Sequence, residues 1–328
     1  MLLDIAALKK LLFVGGKGGV GKTSIASTIA LARADAGARV LIVSTDPAHS
    51  LGHLWDMRIG DEITELGPRG VYGLEISPAS ATDEHLAQVE ERLNRLVPDH
   101  MRSEVRKHLQ LAREAPGTHE AAMLERIATT VETYGPQFDL VVFDTAPSGH
   151  TARLMTLPET MATWTQGMLH RHDRSEKLTR ALQGLDEEDP GLDVVAVGRG
   201  QSRTERDSEI RRVLLARQER FTQLRAALQD SDETAFIVVF QGERLPALET
   251  VELVDQLRRS GMECAAGVIN RRSPADAGDL LAQRRQQEAE HIAYVTDALP
   301  DLPLVEVPLL GEDLQAPRTL REIATYLA

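Results

Sequence analysis

The run from Gly15 to Ser24, GGKGGVGKTS, constrains this chain more than any other feature. Two phosphate-binding patterns fit inside it. Gly16, Gly18 and Gly21 satisfy G-x-G-x-x-G, while Gly16, Gly21, Lys22 and Thr23 satisfy G-x-x-x-x-G-K-[ST]. The second pattern is more demanding, because a lysine and a hydroxyl must directly follow the last glycine. The lysine reaches β- and γ-phosphates and the hydroxyl binds Mg²⁺. A dinucleotide loop has no use for Lys22 and Thr23, although Asp46 could pass for its ribose-binding acid. KKLLFVG ahead of the loop reads as a buried strand, and KTSIASTIALARADAG behind it as a helix stopped by Gly37. That helix would offer free N–H groups and a positive dipole end to phosphate. Lys17 is one cation more than such a loop needs. GRGQS at Gly198–Ser202 mimics the loop but lacks the lysine, so one nucleotide site per chain is expected.

Further apolar runs follow at Val40–Ser44, Val71–Ile76, Leu140–Phe143, Ala235–Phe240, Ala265–Ile269 and Leu304–Val307, joining Leu11–Val14. Several are continuously apolar rather than alternating, which suits a parallel sheet covered on both faces. With helical segments between them, they predict a doubly wound, mostly parallel α/β sheet with an inserted α-helical subdomain. The expected organisation is one domain over 1–328, with helical insertions at about 80–134 and 155–231. One insertion carries Val89, Leu93, Val97, Met101, Val105 and Leu109 at every fourth position. The other carries the stripe Ile210, Val213, Leu214, Phe221, Leu224 and Leu228. Both read as amphipathic helices packed over the sheet or each other. Asp173–Arg206 is rich in charge and glycine, and GLDEEDPG within it reads as a mobile surface loop.

Composition narrows the function classes. A net charge of −13 argues against non-specific binding to DNA, and an aromatic content of 4% against base-stacking platforms for single strands. The single cysteine, Cys264, excludes a disulfide framework within the chain and reads as a small buried hydrophobe. No secretory segment or run of transmembrane length is present, so the chain is expected to be soluble and cytoplasmic, without stable membrane insertion.

Phosphoryl transfer needs positioning, a metal and an oriented water. DLVVFDTAPSGHT is an apolar strand ending in Asp144, where a carboxylate would hold the Mg²⁺ shell, through water, together with Thr23. STDPAHS places Asp46 at another strand's C-terminal end, where ligands of open α/β sheets bind. A carboxylate there can orient or deprotonate the attacking water. His49 and His150 lie in the two loops concerned and read as secondary candidates.

KGGVGKTS, with a lysine two residues into the motif, resembles the deviant Walker A loop of the SIMIBI class of NTPases. With STDPAHSLG and FDTAPSGHTARLMTLPE, it is similar to the family containing the arsenical pump-driving ATPase and the tail-anchored-protein targeting ATPase. FIVVFQGERLPALET, GVINR and LVEVPLLGEDL match more loosely, so the resemblance spans nearly the whole chain. It implies Mg²⁺-dependent ATP hydrolysis by a homodimer. Gly16, Gly18, Gly19, Val20, Gly21, Lys22, Thr23 and Ser24 would cradle the phosphates. Lys17 would reach across the dimer interface to the partner's nucleotide, as an arginine finger does. Asp46 would act as the water-activating carboxylate. Asn270 would contact adenine, Glu243 the region of the partner's ribose, and Pro308 the nucleotide. Pump-driving beside a membrane permease is the leading role, and targeting of a hydrophobic client protein the alternative.

Departures from the family qualify this. NRRSPADAGDLLAQRRQQ lacks the C-x-x-C through which targeting members clamp their dimer with zinc. The cysteine set of the arsenite-stimulated tandem pump subunit is missing as well. Met155, Met161, Trp164, Met168 and Leu169 offer only a modest apolar patch, for which core packing is the expected reading. A DNA- or membrane-positioning ATPase would need a basic face. An iron–sulfur reductase would need two cysteines per subunit.

Overall fold

Leu11, Leu12, Phe13 and Val14 alternate between two cores, which is why the run shows no polar face. Leu11 and Phe13 enter one core with Val141, Phe143 and Phe236. Leu12 and Val14 enter the other with Ile25, Ile29, Val142 and Ile237. This is a strand of a parallel sheet covered on both sides. Phe13 stacks between its register partners Phe143, at 4.6 Å, and Phe236, at 4.9 Å. The structure is a computed structural model that describes residues 1–46, 49–96, 102–115, 117–145, 167 and 197–328.

All seven expected runs are strands: β1 Leu11–Gly15, β2 Val40–Ser44, β4 Val71–Glu75, β5 Leu140–Asp144, β6 Thr234–Phe240, β7 Cys264–Arg272 and β8 Leu304–Pro308. An eighth, β3 Thr64–Glu65, pairs antiparallel with β4 and is too short to show a period. The sheet order is β3-β4-β2-β5-β1-β6-β7-β8, and every other pairing is parallel. After β1 the chain builds first one side of the sheet, then the other, so the crevice at the C-terminal end of β1 is the switch point where ligands bind in such sheets.

Helices α1 (Leu2–Leu8), α2 (Lys22–Asp35), α3 (Ser50–Trp55) and α10 (Arg318–Leu327) cover one face. The other face is covered by α4 (Pro78–Leu96), α6 (Thr118–Tyr134), the C-terminal part of α7 (Val197–Gln229), α8 (Arg244–Arg259) and α9 (Asp279–Ala298). Gly37, at φ +95°, donates its N–H to Ala34 and ends α2.

In the four-residue repeat starting at Val89, Val89 and Leu93 fall in α4 and Val105 and Leu109 in α5 (Arg102–Arg113), while Val97 and Met101 lie outside the described residues. The surface loop expected at GLDEEDPG lies outside the described residues, and α7 is described from Val197 onward. Its composition is polar, but Gln, Arg and Glu are good helix formers. In α7, Phe221, Leu224 and Leu228 are buried. The patch residues Met155, Met161, Trp164, Met168 and Leu169 lie outside the described residues, as does His150.

Candidate functional site

The glycine-rich run turns between β1 and α2. Gly16, Gly19 and Gly21 have φ of +144°, +82° and +96°. Two of them also admit no side chain. A Cβ on Gly16 would stand 2.1 Å from the Val239 carbonyl oxygen, and one on Gly21 2.2 Å from Asn270 Nδ2. Asn270, buried on β7, donates that Nδ2 to the Val20 carbonyl at 2.8 Å. The expected adenine contact is therefore tied directly to the phosphate loop. Gly18 and Gly19 are exposed, and Ser24 is buried, its carbonyl accepting the Thr28 hydroxyl.

Lys22 is 5% exposed and donates Nζ to the Lys17 carbonyl at 2.9 Å. Burial lowers its pKa below the ordinary lysine range, against the pull of Asp144 and Asp46. Thr23 donates its hydroxyl to Asp144 Oδ2 at 2.7 Å, and Ser44 reaches the same oxygen at 3.4 Å. The other oxygen, Asp144 Oδ1, is buried without a hydrogen-bond partner among the described residues. An unsatisfied buried polar group costs about 1–3 kcal/mol, more if charged. Burial pushes the Asp144 carboxyl up to about 6; Thr23 and Lys22 oppose the rise, and Asp46 adds to it. A hydroxyl beside a carboxylate with one unsatisfied oxygen is a hard-oxygen donor set, so Thr23 and Asp144 fit Mg²⁺.

Ser44, Glu75 and Asp144 are register partners at the ends of adjacent strands. Asp46 follows just past β2. Its N–H donates to Ser44 Oγ at 3.4 Å, and its Oδ2 accepts Ser50 Oγ at 3.4 Å. Lys17 projects from the loop to Glu249 on α8, Nζ to Oε1 at 3.0 Å.

The two weakest sequence candidates sit further out. Glu243 stands at the N-cap position of α8 without a side-chain cap hydrogen bond, and pairs with Arg284 on α9 at 2.8 Å. It lines a cleft of about 400 Å³ between those helices that no phosphate-loop residue borders. Pro308 ends β8 opposite Arg272, one strand beyond the one carrying Asn270.

A phosphate-binding loop at the switch point, with an acid closing the next strand, makes this a P-loop nucleoside triphosphatase of the doubly wound α/β class. Residues 9–328 match the family described as "Anion-transporting ATPase"; the chain belongs to that family and is an ATPase. It is 29% identical to ATPase ASNA1 homolog 1 of Paramecium tetraurelia, over 97% of this chain and 92% of that one. With ATPase GET3 of Malassezia globosa it shares 28% identity, over 99% and 92% of the two chains. It is 30% identical to the Arsenical pump-driving ATPase of Escherichia coli over 89% of this chain, but over only 45% of that protein.

Sequence reasoning missed Glu75 and Glu249. Glu75 was signalled by a lone charge inside the apolar run VYGLEIS. Glu249 had no local signal, since its pairing with Lys17 depends on how α8 packs beside the loop.

Proposed function

We propose that the chain is a Mg²⁺-dependent ATPase that acts as a nucleotide-gated homodimer and drives a membrane partner in moving an anion. The observation that carries this reading is the Thr23–Asp144 pair behind the loop, with one buried carboxylate oxygen unpartnered. Thr23 and Asp144 would hold Mg²⁺, which when bound neutralises charge on the β- and γ-phosphate oxygens. Lys22 and the N–H groups at the start of α2 bind phosphate. Asp46 accepts a proton from the attacking water and orients it. Lys17 of one copy meets charge developing on the other copy's nucleotide, so hydrolysis depends on dimer closure. Asn270 contacts adenine, Glu243 lies near the ribose of the partner copy's nucleotide, and Pro308 contacts the nucleotide. Helices α4 to α7 belong to a helical subdomain that moves with nucleotide state.

A second reading is a carrier of hydrophobic client segments, as in targeting of tail-anchored proteins. It is supported by the near end-to-end match with the GET3-named relative. Both readings need no nucleic acid and place the chain in the cytoplasm. Among the described residues no helix is long and apolar enough to cross a membrane. ATPase rates measured with As(III), and separately with a hydrophobic tail peptide, separate the two. Stimulation by As(III) alone supports the pump, and stimulation by the peptide alone the carrier. A strictly monomeric protein at full turnover removes both.

A further inference from the structure

Glu75 is a charged residue at the end of an otherwise apolar strand, and its side chain is only 4% exposed. Neither carboxylate oxygen is idle. Oε1 accepts the backbone N–H of Gly52 at 2.9 Å, in the first turn of α3, and Oε2 pairs with His49 Nδ1 at 2.8 Å. His49 sits at φ +52°, a left-handed conformation costing a non-glycine residue about 1–2 kcal/mol and retained where surroundings enforce it. Gly52 is needed for the close approach, since a Cβ there would stand 2.8 Å from the Met57 carbonyl oxygen.

Six residues are too few for α3 to hold itself by helix formation alone. Its far end is tied to α2 by Trp55 Nε1 donating to Ser27 Oγ at 3.2 Å. Its near end is tied to the sheet by Glu75. Ser50, the first residue of α3, donates its hydroxyl to Asp46 Oδ2. A path of direct contacts therefore runs from the buried carboxylate, through the start of α3, to Asp46.

We propose that Glu75 is the positioning residue for Asp46: by anchoring His49 and Gly52 it holds the start of α3, and with it Ser50, where the Asp46 carboxylate must stand to orient water. This rests on the reading of Asp46 as the water-activating group. Glu75 touches neither the phosphate loop nor Lys22, so its contribution falls on turnover and not on nucleotide affinity.

The test is a double-mutant cycle on the full chain with Glu75→Gln and Asp46→Asn, following kcat, KM for ATP, and nucleotide affinity by calorimetry. Glu75→Gln keeps the volume but turns one acceptor into a donor. It is expected to lower kcat about tenfold while KM and affinity stay within about twofold, because a misplacement of about 1 Å near the reacting atoms is costly. The double variant is expected to be no slower than Asp46→Asn alone, since both changes act through one group. Losses that multiply, or wild-type turnover in Glu75→Gln beside a slow Asp46→Asn, overturn this inference only. Wild-type turnover in Asp46→Asn overturns the catalytic reading itself, and this inference with it. If Glu75→Gln gives no cooperative melt, Ser50→Ala carries the test at the outer end of the path. A kcat lowered about threefold at constant KM, and not lowered further on Asp46→Asn, supports the inference. Unchanged turnover overturns it.

Discussion

Lys17 Nζ and Glu249 Oε1 of the same chain stand 3.0 Å apart, joining the phosphate loop to α8. Both side chains are about one-third exposed, and an ion pair of that kind contributes about 0.2–1 kcal/mol. If Lys17 serves the nucleotide of a second copy, it must first leave Glu249. Glu249→Gln is then expected to strengthen ATP-dependent association by about two- to fivefold. Lys17→Ala is expected to spare ATP binding and slow turnover. Sedimentation with a non-hydrolysable ATP analogue and single-turnover kinetics measure the two effects. Association unchanged by Glu249→Gln would mean that the pair does not restrain the lysine.

Lys22 is buried, and its ammonium group lies at the heart of the loop. Lys22→Ala is expected to weaken ATP binding at least about tenfold, the scale of one charge-assisted hydrogen bond. Calorimetric titration with ATP checks this, and unchanged affinity would contradict the phosphate-loop assignment. Because Lys22 also restrains the rise in the Asp144 pKa, the same variant is expected to push that carboxyl higher still.

Asp144 carries a definite pH signature. Its carboxyl titrates at 3.8 in an unperturbed chain and at about 6 in this fold, so between those values the folded state binds the extra proton. The stability it contributes is present in full below about pH 4 and is lost as pH rises through about 6. By linkage the loss reaches about 3 kcal/mol, counting about 1.4 kcal/mol per unit. Asp144→Asn is therefore expected to raise the melting temperature of the nucleotide-free protein at pH 8. The advantage shrinks towards pH 4, and Mg²⁺-dependent hydrolysis is lost throughout. Scanning calorimetry of both proteins across that range checks it, and an advantage independent of pH would contradict it.

Gly21 and Asn270 are coupled by sterics. Gly21→Ala forces a side chain into a left-handed conformation and into Asn270 Nδ2. The conformational strain alone costs about 1–2 kcal/mol. Adding Asn270→Ala removes the clash and leaves the strain, so the double variant is expected to be more stable than Gly21→Ala. Denaturant melts of the three variants measure the coupling, and additive losses would count against it.

Cys264 reaches the surface with part of its residue, but the environment of its thiol is dry. Burial pushes the thiol up to about 12, with Arg258 opposing. At pH 8 almost no thiolate is present, and the thiolate is the reactive form. Ellman's reagent is expected to leave the native protein unlabelled and to count one thiol after denaturation. Fast labelling of the native protein would reverse this assignment. A single inert thiol also gives As(III) no multidentate thiolate site within one chain.

The phosphate loop, the seven long strands and the acids at Asp46 and Asp144 were legible in the sequence because each is a local pattern. Glycine spacing is fixed by backbone conformations that other residues strain to adopt. An apolar run without alternation reports burial on both faces, as Leu11 to Val14 do. A carboxylate after such a run marks the strand's C-terminal end. The leading part of α7 was less legible, since that helix as a whole carries little apolar period and helix propensity is a weak guide.

What the sequence could not determine is which groups meet. Glu75 with His49 and Gly52, Lys17 with Glu249, and Asn270 with Val20 join residues that are far apart or unremarkable along the chain. Their pairing depends on strand order and register, which bring Ser44, Glu75 and Asp144 level at one edge of the sheet. The loop by itself pointed to a phosphate site, because its glycine spacing is that of a backbone cradle. Only the tertiary structure decided which carboxylates are buried, anchored or shared around it, because desolvation and hydrogen-bond partners are properties of packing rather than of spacing.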